Sequence, residues 1–440
     1  MPAGGQGIDL ASGLPATPRR PGEITRSDLE TYLRPVLHFT PASGWMNDPH
    51  GITFRDGRYE AFFQYVPDST EWAPNCHWGH ASGPDLLSLR ELPVAIAPGE
   101  GDDGVWTGCL VVDGDGTRAF YTATSVPEFG IGRVRVARPV DESWLSWVKG
   151  DVVVEAPDGL DLIAFRDPFV RREGEVWRMF VGAAGRDGTA MALSYTSRDL
   201  DRWQYDGVAL SRDSCERDPV WMGALWECPQ IFEVDGHAVM VSSVWDADVL
   251  HYAGCAVGAY RDGVFVPSDW AQLTWGSSLY APSLFTDADG EPALTFWLRG
   301  IEGDGWAGAH SFPYRVAVRA GRLVAQPHPD VAAHRTESVA DGVLPGLAAD
   351  IEWECTQGTL LITSEGALAA ELSVADGELT VGTSADTQRV PVQGGLRIIV
   401  DGPVLEVSSA AGVFATAISP RGAGLRVAAD AGTVVVYGLE

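Results

Sequence analysis

The chain has 440 residues, 45% of them apolar, enough to bury the cores of about two domains. Its 60 acids against 31 bases leave a net charge of −29, which argues against nucleic acid, whose phosphates need a basic footprint. No apolar run reaches the roughly 18 residues of a membrane span, and the N-terminus lacks an apolar signal core, so a cytoplasmic chain without membrane contact is expected.

Residues 1–34 read as a loose Pro-, Gly- and Ala-rich tail ending in a short helix, which the capping form Ser27–Glu30 would start. From 35 to 325 one plan recurs: a polar or aromatic motif, an apolar stretch, an Asp/Gly turn and a second apolar run. "DPHGITFRDGRYEAFFQY", "DPFVRREGEVWRMFVGA" and "CPQIFEVDGHAVMVSSV" are three copies, and segments starting at Trp106 and Tyr280 are two more. Asp-Gly dipeptides between apolar runs are hairpin signals. With Asp48, Gly108, Asp167, Glu227 and Ala281 as markers, the steps are 60, 59, 60 and 54 residues. A period of this size filled with short strands predicts four-stranded blades around an axis, and five copies predict a five-bladed β-propeller. Residues 326–342 read as a linker. Residues 343–440 hold short strands broken by Gly and Asp, which predicts a β-sandwich and makes the fold class all-β.

Three acids stand in similar settings: Asp48 in "WMNDPHG", Asp167 in "FRDP" and Glu227 in "WECPQ", with Trp45, Phe165 and Trp226 nearby. Proline follows each at once or after one residue, and a residue before proline is pushed toward extended conformations. One such pair alone reads as a turn cap. Three in phase with the repeat place the acids on blades one, three and four, facing a shared funnel. Acids gathered on strand ends suit glycosidic hydrolysis, in which one attacks and one protonates the leaving oxygen. No metal is expected: His77 and His80 would lie on opposite faces of a strand, and the "DGDG" turn at Asp113–Gly116 is too short for a calcium loop. The six cysteines show neither metal spacing nor a disulfide framework, so free thiols are expected, with Cys76 and Cys109 the one pair whose proximity is open.

"GWMNDPHG", "FRDP" and "WECP", supported by "FFQY", "HWGHA", "WTGC" and "GWAGAHSFPYR", resemble the motifs of glycoside hydrolase family 32, the invertases, levanases, inulinases and fructan exohydrolases. The resemblance runs from about Leu37 to the C-terminus, and it too implies a five-bladed propeller followed by a sandwich, here a short one. It implies a retaining, exo-acting β-fructofuranosidase without cofactor. Asp48 would be the nucleophile and Glu227 the acid and base, raised in pKa by burial among Trp226, Cys228 and Pro229. Asp167 would stay ionised beside Arg166 as transition-state stabiliser. The Asp48 and Glu227 carboxyls would lie about 5–5.5 Å apart. Trp45, Asn47, Gln64, Trp72, Trp106 and Thr107 would line the sugar site, as would Arg166, Cys228, Tyr280 and Trp306. His50, Val66, Thr107 and the "SSLYAP" segment depart from the family pattern, which leaves the choice among sucrose, inulin and levan open. Alternatives are a transfructosylase on the same site, a non-catalytic fructan-binding protein, and an inverting arabinan- or xylan-type hydrolase. A monomer or homodimer is expected.

Overall fold

The computed structural model describes residues 34–440, so the tail and the helix expected at Ser27–Glu30 lie outside the described residues. Apart from one short helix, Pro329–Ala333, the described elements are strands.

Blade one contains Gly44–Arg55, Arg58–Val66, His77–Gly83 and Arg90–Ile96; blade two contains Gly104–Asp113, Gly116–Thr124, Arg133–Pro139 and Trp147–Val154. Blade three runs Leu162–Glu173, Val176–Gly185, Thr189–Ser197 and Gln204–Asp213, and blade four Leu225–Val234, His237–Asp246, Val249–Arg261 and Val264–Gln272. Each is a four-stranded antiparallel meander. Blade five is built from Leu279–Thr286, Pro292–Gly303, a third strand in two pieces (Trp306–His310 and Tyr314–Arg319) and Arg322–Pro327. Several Asp-Gly signals become two-residue turns with both residues at positive φ, among them Asp56–Gly57 (49° and 76°) and Asp235–Gly236 (51° and 75°). Such primed turns match the twist of the strands they join.

The ring closes where Trp306–His310 pairs in parallel with the start of Gly44–Arg55, Gly44 facing Trp306. First strands of successive blades abut around the axis, so their side chains share one mouth.

The C-terminal part forms two facing sheets of seven and six strands. Their apolar inner faces hold Trp353, Leu360, Ile398 and Leu405. The propeller lends the larger sheet a strand, Thr274–Trp275, parallel to Gly412–Ala417. A second apolar cluster joins Leu279 and Tyr314 of blade five to Val404, Val413 and Ala415 of that sheet. The stretch 326–342, expected as a linker, is structured: the Pro329–Ala333 helix buries Val331, and Arg335–Ser338 pairs with Thr433–Leu439. All six cysteines are free; Cys76 packs with Val66 and Trp106, while Cys109 belongs to a separate cluster with Phe120.

Candidate active site

Every first strand carries one residue more than its partner at the motif. In blade two Trp106 and Gly108 face the consecutive Thr122 and Tyr121, leaving Thr107 extra. Similar irregularities fall between Met46 and Pro49, Glu227 and Gln230, and Tyr280 and Ser283, and opposite Phe180 and Gly182 in blade three. A β-bulge leaves the extra residue unpaired and re-aims side chains. In blades three, four and five the residue before proline at the bulge is left-handed: Asp167 at φ 64°, Cys228 at 50° and Ala281 at 48°. This corrects the extended conformation expected before proline. The physical reason is tertiary, because each of these residues donates its N–H to a group on the preceding blade. Asp167 donates to Thr122 Oγ1 (2.8 Å), Cys228 to Asp167 Oδ2 (2.9 Å) and Ala281 to Ser243 Oγ (2.9 Å).

Equivalence between blades is also shifted from the sequence count. Arg166, Glu227 and Tyr280 hold one ladder position, facing Gly182, Ser243 and Trp297. Glu227 is thus the counterpart of Arg166, not of Asp167. That places a cation, an acid and a phenol side by side on three successive blades. Arg166 donates from Nε and Nη2 to Glu227 Oε1 at 3.1 and 2.8 Å, and the Tyr280 hydroxyl donates to Oε2 at 2.7 Å. Arg166 was expected beside Asp167; its hydrogen bonds go to Glu227, and it reaches Asp167 only through its field.

Asp48 is held by neutral donors. Asn47 Nδ2 donates to Oδ1 (2.9 Å), and Thr107 Oγ1 and the Cys228 thiol donate to Oδ2 at 2.8 and 3.7 Å. Gln64 Nε2 lies 3.4 Å from the same Oδ2, and Trp45 Nε1 fixes Asn47 at 3.1 Å. Burial and the nearby charge of Glu227 push the Asp48 carboxyl above the ordinary carboxylate range. Asp167, 4% exposed, is pushed up to about 7 by burial, with the Arg166 charge opposing and the Glu227 and Asp48 charges adding to the rise. The expectation that Asp167 is firmly ionised is corrected for the free site: desolvation outweighs the guanidinium.

The three acids open on a cavity of about 580 Å³. Of the residues expected at the sugar site, Trp45, Asn47, Gln64, Trp72, Trp106, Arg166 and Tyr280 line this cavity. Thr107 and Cys228 lie beneath, on a small axial cavity of about 70 Å³ that Asp167 also borders. Trp306 is elsewhere: it is buried at the ring closure, with the Arg34 guanidinium 4.5 Å over its ring. Trp226 and Phe165 turn into the cores between blades, so neither walls an acid. Of the departures from the family pattern, His50 lies in the axial cavity against Trp78, driven down to about 3 by burial, and Val66 is in the core. Thr107 touches Asp48, and the "SSLYAP" segment touches Glu227 through the Tyr280 hydroxyl. The sequence reading missed Phe129, Trp245, Asp248, Leu250 and Trp297. Trp297 was reachable as the ladder partner of Tyr280, while Phe129 sits in an inter-strand loop without a repeat signal.

The arrangement can hold a proton among crowded carboxylates, present one oxygen of Asp48 as a nucleophile, and receive polyols on amide and indole groups. Residues 38–327 match the family description "Glycosyl hydrolases family 32 N-terminal domain". The chain is 32% identical over 327 residues to a sucrose-6-phosphate hydrolase of Escherichia coli, covering 69% of this chain but only 65%, less than two thirds, of that relative. It is 30% identical to a raffinose invertase of Escherichia coli over 83% of this chain and 77% of the other. Among solved structures, a Bombyx mori GH32 beta-fructofuranosidase superposes with TM-score 0.80 at 25% identity, covering 92% of this chain and 94% of that one. With well over half its length matched, the chain belongs to glycosyl hydrolase family 32.

Proposed function

We propose that this protein is a retaining, exo-acting β-fructofuranosidase that releases terminal β-D-fructofuranosyl units from sucrose, fructo-oligosaccharides, inulin or levan. The observation that carries the reading is the convergence of Asp48, Asp167 and Glu227 on one cavity lined by amides and indoles. Asp48 attacks the anomeric carbon as the glycosidic C–O bond breaks and Glu227 gives its proton to the leaving oxygen. Glu227 then takes a proton from water, which displaces Asp48 and frees fructose. Asn47 and Thr107 each bind one Asp48 oxygen and so hold the attacking carboxylate in one orientation. Burial, with the neighbouring acid charges adding to it, raises Asp48 and Asp167 in the free site, and this has a use: a sugar carrying oxocarbenium-like positive charge favours their ionised forms, and a neutral ground state does not. Interactions stronger in the transition state than in the ground state are the ones that accelerate the chemistry.

Transfer to an acceptor sugar is the second reading, favoured by Trp72, an indole 43% exposed at the mouth. Incubation with sucrose, inulin, levan and short fructo-oligosaccharides separates the two. Free fructose is expected, whereas lengthened oligomers would make the protein a transfructosylase. If no product forms and Asp48→Ala binds sugar as well as the parent, a binding protein is left. Glu227→Gln should lose about 10²–10⁴-fold on sucrose and much less on an aryl fructoside with a good leaving group. Equal losses on both would refute its role as acid.

A further inference from the structure

Some relatives are named for a phosphorylated sucrose, so the charge that this mouth accepts is a question its residues answer. Among the described residues lining the main cavity, Arg166 is the single cation, and its Nε and Nη2 are committed to Glu227. Asp48, Asp167, Glu227 and Asp248 line the same space. An adjoining groove shares Gly130 and Ile163 with it and holds Arg133 and Arg186. Arg186 pairs with Asp161 at 3.1 Å, Arg133 lies 4.0 Å from an Asp102 that Arg135 and Lys149 engage more closely at 2.9 and 3.1 Å, and Glu128 and Glu155 also line the groove. Arg299, lying on the Tyr280 ring, donates to the carbonyls of Leu250 and His251. A phosphate dianion calls for uncommitted Arg or Lys donors; in the main cavity it would meet carboxylates.

Asp248 stands apart from the catalytic cluster. It caps the hairpin of blade four formed by His237–Asp246 and Val249–Arg261, the first of which pairs with the strand bearing Glu227. It therefore reaches the mouth on the blade that protonates the leaving group. Ala247 and Asp248 sit at φ 48° and 61° in a two-residue turn where Asn-Gly would be relaxed. Backbone strain of this kind clusters at functional sites.

We infer that the leaving-group side of this site takes an uncharged sugar and discriminates against a phosphorylated one, with Asp248 as a specificity-determining residue. The inference rests on the fructofuranosidase reading. Repulsion between like charges excludes the wrong partner, and dissolved salt screens it.

The test is kcat/KM of the full chain on sucrose and on sucrose phosphorylated at its glucosyl 6-hydroxyl, at low and high ionic strength. Sucrose should be preferred by about tenfold or more at low salt, and the ratio should fall as salt rises. Asp248→Asn should lower the ratio several-fold and Asp248→Lys further. Arg186→Glu, in the adjoining groove, should raise it and serves as the readout if the turn variants fail to fold. Equal or better use of the phosphorylated sugar by the parent would overturn the inference, as would a ratio unmoved by salt and by these variants. Release of fructose from neither sugar would instead sink the fructofuranosidase reading and this inference with it.

Discussion

Asp167 works against the stability of the fold that holds it. Its folded pKa of about 7 lies above the ordinary 3.8, so its contribution is fully present below pH 3.8 and is lost as pH rises through 7. At alkaline pH the protein holds a charge that its surroundings disfavour. Asp167→Asn keeps a carbonyl oxygen for the Cys228 N–H and removes that charge. We expect the variant to be inactive yet to melt higher than the parent at pH 8, by on the order of 2 kcal/mol, with the gain vanishing near pH 4. Thermal scans at the two pH values check this, and an unchanged or lower midpoint at pH 8 would show that the site does not strain Asp167. The three acids were legible because each sits in a short motif. The partner of Arg166 was not, since hydrogen bonds between blades depend on which ladder position each residue occupies.

At the scale of elements, the bulge makes the site. One additional residue per first strand turns side chains that would alternate into a convergent set, and adjacent blades must then approach closely. Gly182 faces Arg166 at the ladder position that Thr122 and Ser243 hold in blades two and four. A Cβ there would stand 2.4 Å from the Trp226 carbonyl oxygen, next to Glu227. Gly182→Ala should therefore cost about 1–3 kcal/mol through overpacking and, by displacing the Glu227 strand, should lower kcat more than it raises KM. Denaturant melts with steady-state kinetics on sucrose test both halves. The period of about 60 residues revealed the blades, because hairpin signals are local. The bulge register stayed hidden: it is settled by hydrogen bonds to the neighbouring blade, as the left-handed Asp167 shows against its own proline.

For the whole molecule, the propeller and sandwich are fastened at a buried ionic knot. His38 bonds Asp401 through Nδ1 at 2.9 Å and Glu406 through Nε2 at 2.7 Å. The N–H groups of Val36, Leu37 and His38 donate to Asp401, while Phe312 N–H and the Tyr314 hydroxyl of the propeller side donate to Glu406. Burial opposes a charge on His38, but the two carboxylates prevail and lift it to about 9. The resulting stability is fully present below pH 6.5 and disappears as pH rises through 9. Asp401, lowered despite burial by its bonds to His38, contributes above pH 3.8 and fails as pH falls through its folded value. His38→Ala leaves two buried carboxylates without their cation and should cost about 3–5 kcal/mol near pH 6, the difference from the parent shrinking toward pH 10. Unfolding followed at both pH values measures it, and a difference independent of pH would mean the imidazole acts by packing alone.

By itself the sequence determined that this is a chain of short strands in five similar units with a strand-rich C-terminal part, and that Asp48, Asp167 and Glu227 share one site. Turn chemistry and hydrophobic alternation act within a few residues, so they are written locally. Tertiary structure decided what depends on distant groups: the pairing of Arg166 with Glu227, the exclusion of Trp306 from the cavity, the recruitment of Trp297 and Asp248, and the order found at 326–342. Those follow from how blades are staggered around the axis and from which polar groups are buried together, and no local pattern encodes either.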